Sequence, residues 1–526
     1  MKKLTSLIFL FLFAACQREN TTADKFMNRC AQLSGDEMQS IVAYLGSDLL
    51  EGRAPGTRGD ELAVAYLESL FRYEGFKPGN NGAYRQPFPI TGFRVKDITM
   101  EANGSPLSYP DDYTGTFSTT DAGIDFEAEA VFVGFGIETE IWDWDDYKDT
   151  DLTNKLVITR VNDPGMLDST IFEGKTLTYF GRWTYHVEEA ARRGAAGILL
   201  IHTDESAGYN WDVVKNSWSG EEVFIGSDLQ NNLKFRGWIR ESSLEKILKE
   251  NGLSIEDLYR GTDKRDFQPR ETGIRFRIRG ENLSTEKNIC NVVAEIPGKV
   301  KERIVLSAHF DHLGTGTPIN GDSIFNGAID NGTAVAAMLL TAKILQEFRE
   351  ELYYSVTILA CNAEESGLLG SRYYVQNTDR SNIIADINFE STPVWGETGS
   401  IMGIGARFSG FEDMLKDLAE RNGKAYSEFS LSNQGLFYRS DQFSFARYGI
   451  PAVWISAGED ELSGDRSYTE FWGKDYHTVK DEFDPGWEME GMRQTIGYAL
   501  LLIGELNRSQ KAPDWKDKLP FPLEQQ

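Results

Sequence analysis

The chain is poor in cysteine, histidine and basic residues, and each shortage excludes something. Of 526 residues, four are Cys and five are His. So few thiols exclude a disulfide-knit scaffold. No Cys-x-x-Cys pair exists, so any metal has to be held by His and carboxylates. Lys and Arg number 54 against 81 Asp and Glu, for a formal net charge of −27. That balance argues against a nucleic-acid partner, because phosphate contacts need clustered Lys and Arg. Internal repeats and low-complexity tracts are absent. What is there is 40% hydrophobic and 12% aromatic, enough for a buried core spread over two to four domains.

Long apolar runs are also scarce. Lys2 and Lys3 precede a run from Leu4 to Phe13, shorter than the roughly 20 residues that span a bilayer. It reads as a secretory h-region followed by Ala14, Ala15 and Cys16. Phe-Ala-Ala-Cys resembles a bacterial lipobox. The resemblance implies lipidation of Cys16 and a tether to the membrane through that N-terminal lipid. The chain would then sit in the cell envelope outside the cytoplasm, on the periplasmic side or the cell surface.

Residues 1–16 are therefore set aside as a lipoprotein signal, and 17–33 read as a polar spacer. Residues 34–125 open the main domain. They begin with a helix near Asp36 that places Met38, Ile41, Val42, Leu45 and Leu49 on one face. The turn-rich stretch 47–56 follows, either a plug between domains or part of a cleft. A second helix spans about 60–74. From 126 to 275 the grammar changes to short strands, including 130–136, 155–159 and 194–201, with a helix near 185–193. This block could be lifted out as a domain of its own. From 276 to 508 strands alternate with helices, the pattern of a mixed, mostly parallel α/β sheet with helices on both faces. Strands are predicted at 291–296, 303–308, 355–361, 385–389 and 451–456, and helices at 333–348, 367–376, 411–421 and 490–506. Residues 509–526 form an irregular tail.

Five elements of this last region carry acids or histidines just beyond a strand. His309 and Asp311 alternate at a strand end, which puts them on one face and suits a metal ligand with a carboxylate behind it. Asp330 precedes a helix, where by itself it would be an N-cap. Glu364 and Glu365 leave an apolar strand side by side, so one can bind metal while the other moves protons. Glu390 ends another strand, and His477 follows the last. Ligands bind beyond the carboxyl ends of such strands, so these loops converge on one crevice. Two His with several carboxylates suit zinc, though other divalent ions are open.

The segments HFDHLG, NGAIDNGTA, CNAEESGLLGSRYYV, INFES, YRSDQFSFARYGIPAVW and DYHTVKDEF, in this order, resemble the co-catalytic two-zinc exopeptidases. That family includes bacterial leucine aminopeptidases, glutamate carboxypeptidase II and the transferrin receptor. Residues 126–275 resemble a protease-associated domain, most visibly in AARRGAAGILLI. The resemblance implies two Zn²⁺. His309, Asp330 and Glu390 would hold one; Asp330, Glu365 and His477 would hold the other. Glu364 would be the general base and Asp311 the partner of His309. The family usually has Asp where Glu390 stands, which makes Asp386 a conceivable substitute. Tyr438, Ser440 and Asp441 are implied near the substrate. His312 is expected beside the site without ligating, and His186 and His202 as structural. The implied activity is removal of N-terminal residues from peptides. A carboxypeptidase of the same fold and a non-catalytic, receptor-like lipoprotein are the alternatives.

Overall fold

The computed structural model describes residues 21–218, 220–226, 233–462, 468–516 and 518–524. The leader, and with it the lipidation expected at Cys16, lies outside the described residues. The first helices, α1 (Thr22–Cys30) and α2 (Gly35–Leu45), begin at short polar caps. Thr21 Oγ1 accepts from the Asp24 N–H at 3.2 Å and Ser34 Oγ from the Glu37 N–H at 3.1 Å, satisfying donors that a helix start leaves unpaired. The stretch expected as a spacer is thus partly helical. Phe26 and Cys30 are buried in the main core, because one side of an otherwise polar segment is apolar. Met38, Val42 and Leu45 are buried as expected, but α2 ends before Leu49, which is 52% exposed. Helix α3 (Arg58–Tyr73) follows a tight turn at Asp48–Arg53.

Next come β1 (Arg85–Ala102), β2 (Tyr113–Phe117), β3 (Gly123–Phe132), β4 (Leu156–Arg160), α4 (Trp183–Arg192), β5 (Gly197–His202), α5 (Trp211–Ser217) and β6 (Phe235–Arg240). They form a β-rich lobe with apolar layers on both faces of its sheet. Along β4 and β5 alternate residues face opposite ways: Ile158, Leu199 and Ile201 pack on one side, Val157, Ile198 and Leu200 on the other. The first layer also takes in Met100, Tyr113 and Phe117, so the lobe starts well before the boundary expected at 126. Strand β7 (Arg270–Ile296) is 27 residues long. It pairs antiparallel with β1 along most of its length and with β3 through its first half. Its last residues, Val292–Ile296, pair with the α/β sheet of the main domain.

That sheet contains β8 (Arg303–His309), β9 (Ser355–Cys361), β10 (Ile383–Asn388), β11 (Ser400–Ile404), β12 (Ala425–Ser427) and β13 (Ala452–Ala457). The order across the molecule is β12-β11-β13-β10-β8-β9-β7-β3-β4-β5-β6-β2. Strands β9, β8, β10 and β13 are parallel neighbours, and β11 runs antiparallel to β13. Around them pack α6 (Ala334–Glu347), α7 (Leu369–Gln376), α8 (Phe411–Arg421), α9 (Tyr468–Lys474) and α10 (Glu490–Ser509). The expected mixed, mostly parallel α/β sheet is what forms. Residues Ala328–Glu347 are long and apolar enough to cross a membrane but 94% buried, the mark of a core helix. The three described cysteines, Cys30, Cys290 and Cys361, are free thiols.

Candidate metal centre

Register brings the acids together. His309 at the end of β8 lies opposite Cys361 at the end of β9, and Ser307 lies opposite Asn388 on β10. The chain therefore delivers His309, the 364–365 pair and Glu390 at one edge of three adjacent parallel strands. Asp330 comes from the irregular turn Ala328–Thr333 leading into α6, and His477 follows α9.

Two groups of ligating atoms result, and Asp330 belongs to both. The first is His309, Asp330 and Glu390; the second is His312, Asp330, Glu365 and His477. His309 Nε2 lies 3.4 Å from Asp330 Oδ1 and 3.3 Å from Glu390 Oε1. His477 Nε2 lies 3.2 Å from Asp330 Oδ2 and 3.1 Å from Glu365 Oε2. Glu364, in neither group, comes within 3.9 Å of His309 Nε2. The longer Glu390 reaches the position, so Asp386 is not needed there. It lies on β10, opposite Val305, and accepts from Ser307 Oγ at 2.9 Å.

The electrostatics show what this cluster lacks. Burial opposes the charge of His477, but the Glu365 and Asp330 carboxylates outweigh it and raise the imidazole to about 10. His309 is likewise raised, chiefly by Glu390 and Glu364 against the effect of burial. Burial also disfavours the Glu365 carboxylate, yet His477 and His312 hold it down at about 2. Four acids packed this closely demand positive charge. Divalent cations would meet that demand with the imidazoles neutral. Asp330 Oδ2 and His477 Nε2 are both buried and have no hydrogen-bond partner among the described residues, although 3.2 Å apart. A cation coordinated by both would satisfy them, so the residues fit a metal pair.

The supporting shell differs from expectation in several places. Asp311 was expected to hold His309 with its carboxylate. Instead the His309 Nδ1 partner is the Asp311 backbone carbonyl at 3.2 Å, while Asp311 Oδ1 is 3.7 Å away. The carboxylate accepts from the Glu364 and Glu365 N–H groups at 3.0 and 3.3 Å, because β9 brings those amides alongside. His312, expected outside the ligand set, lies within reach of it and bonds Glu365 at 2.8 Å. Ser440 lines the cavity but donates to Glu390 at 2.5 Å. Tyr438 lines the cavity too. Asp441 is fully buried and absent from the lining, since it turns inward at the start of the short helix Gln442–Arg447. His186 and His202 sit inside the lobe, away from the cluster.

Two residues that sequence reasoning missed hold the loops in place. Asp481 accepts from the Ile329 and Asp330 N–H groups at 2.8 and 2.9 Å. Arg53, 1% exposed, donates to the carbonyls of Leu45, Phe310, Asn326 and Gly327. The stretch 47–56 is thus a plug behind the metal loops. Its Gly-Arg-Ala-Pro-Gly turn signal was legible, but not that its Arg faces inward.

The cluster forms the floor of a cavity of about 520 Å³ whose roof is the lobe, including Trp183, Tyr209, Ser217 and Trp218. Ser217 Oγ meets His477 Nδ1 at 3.1 Å. Residues 291–498 match the model of peptidase family M28. An aminopeptidase of Pseudomonas aeruginosa is 25% identical over 442 residues, covering 80% of this chain and 69% of that protein. A probable lipoprotein aminopeptidase, LpqL, of Mycobacterium tuberculosis is 26% identical over 244 residues, 41% of this chain and 45% of that one. Among solved structures, an aminopeptidase from Aneurinibacillus sp. strain AM-1 shares the fold, with a TM-score of 0.57, 16% identity and coverage of 95% of this chain and 98% of that one. The family match takes in every strand and loop that builds the metal cluster, so it is the site-bearing part of the chain, residues 291–498, that is similar to peptidase family M28.

Proposed function

We propose that this chain is a zinc-dependent aminopeptidase that trims N-terminal residues from peptides outside the cytoplasm. The observation that carries the reading is the pair of ligand groups sharing Asp330, with Glu364 beside them on the floor of one cavity. His309, Asp330 and Glu390 would hold one zinc, and Asp330, Glu365 and His477 the other, with His312 orienting Glu365. Bound zinc supplies Lewis acidity for the scissile carbonyl and makes water nucleophilic at neutral pH.

Glu364 is the residue free to move protons. Burial, then the neighbouring Glu365 and Glu390 charges, raise its proton affinity well above that of an ordinary carboxyl. Its carboxylate takes the proton of the attacking water and returns it to the leaving amine, as a general base and then acid. Asp311 fixes the direction of Glu364 through the backbone N–H it accepts from. The inserted lobe, read as a protease-associated domain, restricts entry to this floor. An anchor at Cys16 agrees with the lipoprotein named among the relatives and would hold the enzyme at the envelope.

The test is a mixed peptide pool followed by mass spectrometry with and without a chelator. Chelator-sensitive loss of single N-terminal residues is expected. C-terminal trimming would make the chain a carboxypeptidase, and zinc-loaded protein that cleaves nothing would make it a binding protein. Glu364→Gln should keep two metal ions per chain and lose turnover by at least a hundredfold. Unchanged turnover would remove Glu364 from the mechanism.

A further inference from the structure

Two guanidinium groups in the cavity wall have no acid to pair with. Arg182 stands at the start of α4 in the lobe, and Arg439 follows Tyr438 in the catalytic domain; both line the cavity whose floor is the metal cluster. Among the described residues neither forms an ion pair, and the Nε of each is buried without a hydrogen-bond partner. Arg439 donates one bond, to the Ala207 carbonyl at 3.2 Å, and lies over the Tyr209 ring at 5.3 Å. The Arg182 guanidinium donates none among the described residues. Burial first, then the charge of Arg439, make its cationic form unfavourable. Other arginines of the same wall are matched: Arg236 pairs with Glu222 at 2.6 Å, and Arg447 pairs with Glu524 and bonds Tyr179.

Holding two half-buried cations in one wall without an anion among the described residues is costly, and the field of the nearby Glu364 reaches Arg182 without pairing it. An anionic ligand between the two guanidinium groups would complete them, since their planar forks match a carboxylate. Resting on the aminopeptidase reading, we propose that Arg182 and Arg439 form a carboxylate subsite for the part of the peptide downstream of the scissile bond. The enzyme then favours short peptides whose free C-terminus, or an acidic side chain, reaches this pair. The roofed cavity of about 520 Å³ agrees with a short substrate, and the lobe contributes one arginine directly to its recognition.

Trialanine and its C-terminal amide test this, by turnover of the zinc-loaded enzyme and by calorimetric binding to chelator-treated protein. The free acid should be preferred about tenfold to a hundredfold in kcat/KM, the range of one or two charge-assisted bonds. Arg182→Gln and Arg439→Gln should each bring the ratio of acid to amide toward one, mainly through KM. Arg182→Lys, which keeps charge but not the fork, should recover part of it. Thermal midpoints of each variant accompany the ratios, which separates a folding defect from a lost subsite. An amidated peptide with Asp in the second position separates the sources: recovery of the preference assigns the side chain, and its absence assigns the terminus. Equal turnover and equal binding of acid and amide would overturn the subsite while leaving the activity standing. Preferential binding of the acid without cleavage would keep the subsite and overturn the activity. Failure to bind or cleave either peptide would overturn both.

Discussion

Replacing Arg53 tests whether the metal loops are positioned from behind. Its guanidinium bonds the carbonyls of Phe310 at 2.6 Å and Gly327 at 2.9 Å, as well as those of Leu45 and Asn326. Phe310 lies between His309 and Asp311, and Gly327 three residues before Asp330, so one side chain ties both ligand loops to the end of α2. Arg53→Met leaves up to four buried acceptors short of a donor. At about 1 kcal/mol for each, toward the low end for an unsatisfied buried group, the variant loses about 4 kcal/mol. Relief of cation burial offsets part of this loss, because burial outweighs the favourable charges of Asp481, Asp311, Asp330 and Glu365 and holds the guanidinium down at about 10. The assay is urea unfolding followed by tryptophan fluorescence, with metal content read by elemental analysis on the same samples. Both stability and zinc occupancy should fall, and Arg53→Lys should recover only part, since an ammonium cannot reach four carbonyls in a plane. A variant within about 0.5 kcal/mol of the parent and fully loaded with zinc would refute the reasoning.

Three further outcomes follow from single contacts. Ser440→Ala removes a 2.5 Å bond to Glu390 and should weaken metal binding at the His309 group about tenfold or more, as a metal titration would show; unaltered affinity would make Ser440 a substrate contact alone. His186 is pushed down to about 3 by burial, so it stays neutral in the fold while the unfolded chain takes up a proton below pH 6.5. Its stability contribution is intact above 6.5 and lost as pH falls toward 3. Moving from pH 7 to 5 should therefore favour His186→Leu over the parent by about 2 kcal/mol; denaturation at both values giving the same difference would contradict this. Gly59→Ala would place a methyl 1.7 Å from the Leu50 carbonyl, backbone against backbone, and should cost about 3 kcal/mol or more; wild-type stability would show that α3 can shift freely.

How much of this could be read in the sequence depended on where the information sits. Strand β9 and helix α8 occur where the periodicity placed them, 355–361 and 411–421, because central strands are continuous apolar runs and α8 has one apolar stripe. The ribbon of β1 and β7 was largely invisible. At 18 and 27 residues both exceed ordinary strand lengths, and their exposed turns and polar alternation resemble loops. Their pairing is a long-range fact that no local window contains. Glu364, Glu365 and Glu390 were legible because each lies just beyond a strand, and parallel register then does the rest; Asp330, in the turn before α6, by itself read as a helix cap.

The supporting shell was less legible for a physical reason rather than a statistical one. Alternation along β8 puts Asp311 on the side of His309, but the residue also faces β9, where the Glu364 and Glu365 amides offer better donors. A carboxylate goes to the strongest unpaired donors within reach, and those belong to the loop after β9, some fifty residues away. Arg53, Asp481, Arg182 and Arg439 make the same point with opposite outcomes. In the sequence all four look like ordinary surface charges. In the fold Arg53 is matched by carbonyls and Asp481 by amides, which makes them parts of the scaffold. Arg182 and Arg439 are left with no counter-ion among the described residues, in a wall where Arg236 and Arg447 have theirs. A charge that the fold buries and satisfies holds structure together, whereas one that it half-buries and leaves unmatched beside the candidate metal cluster is explained by what binds there.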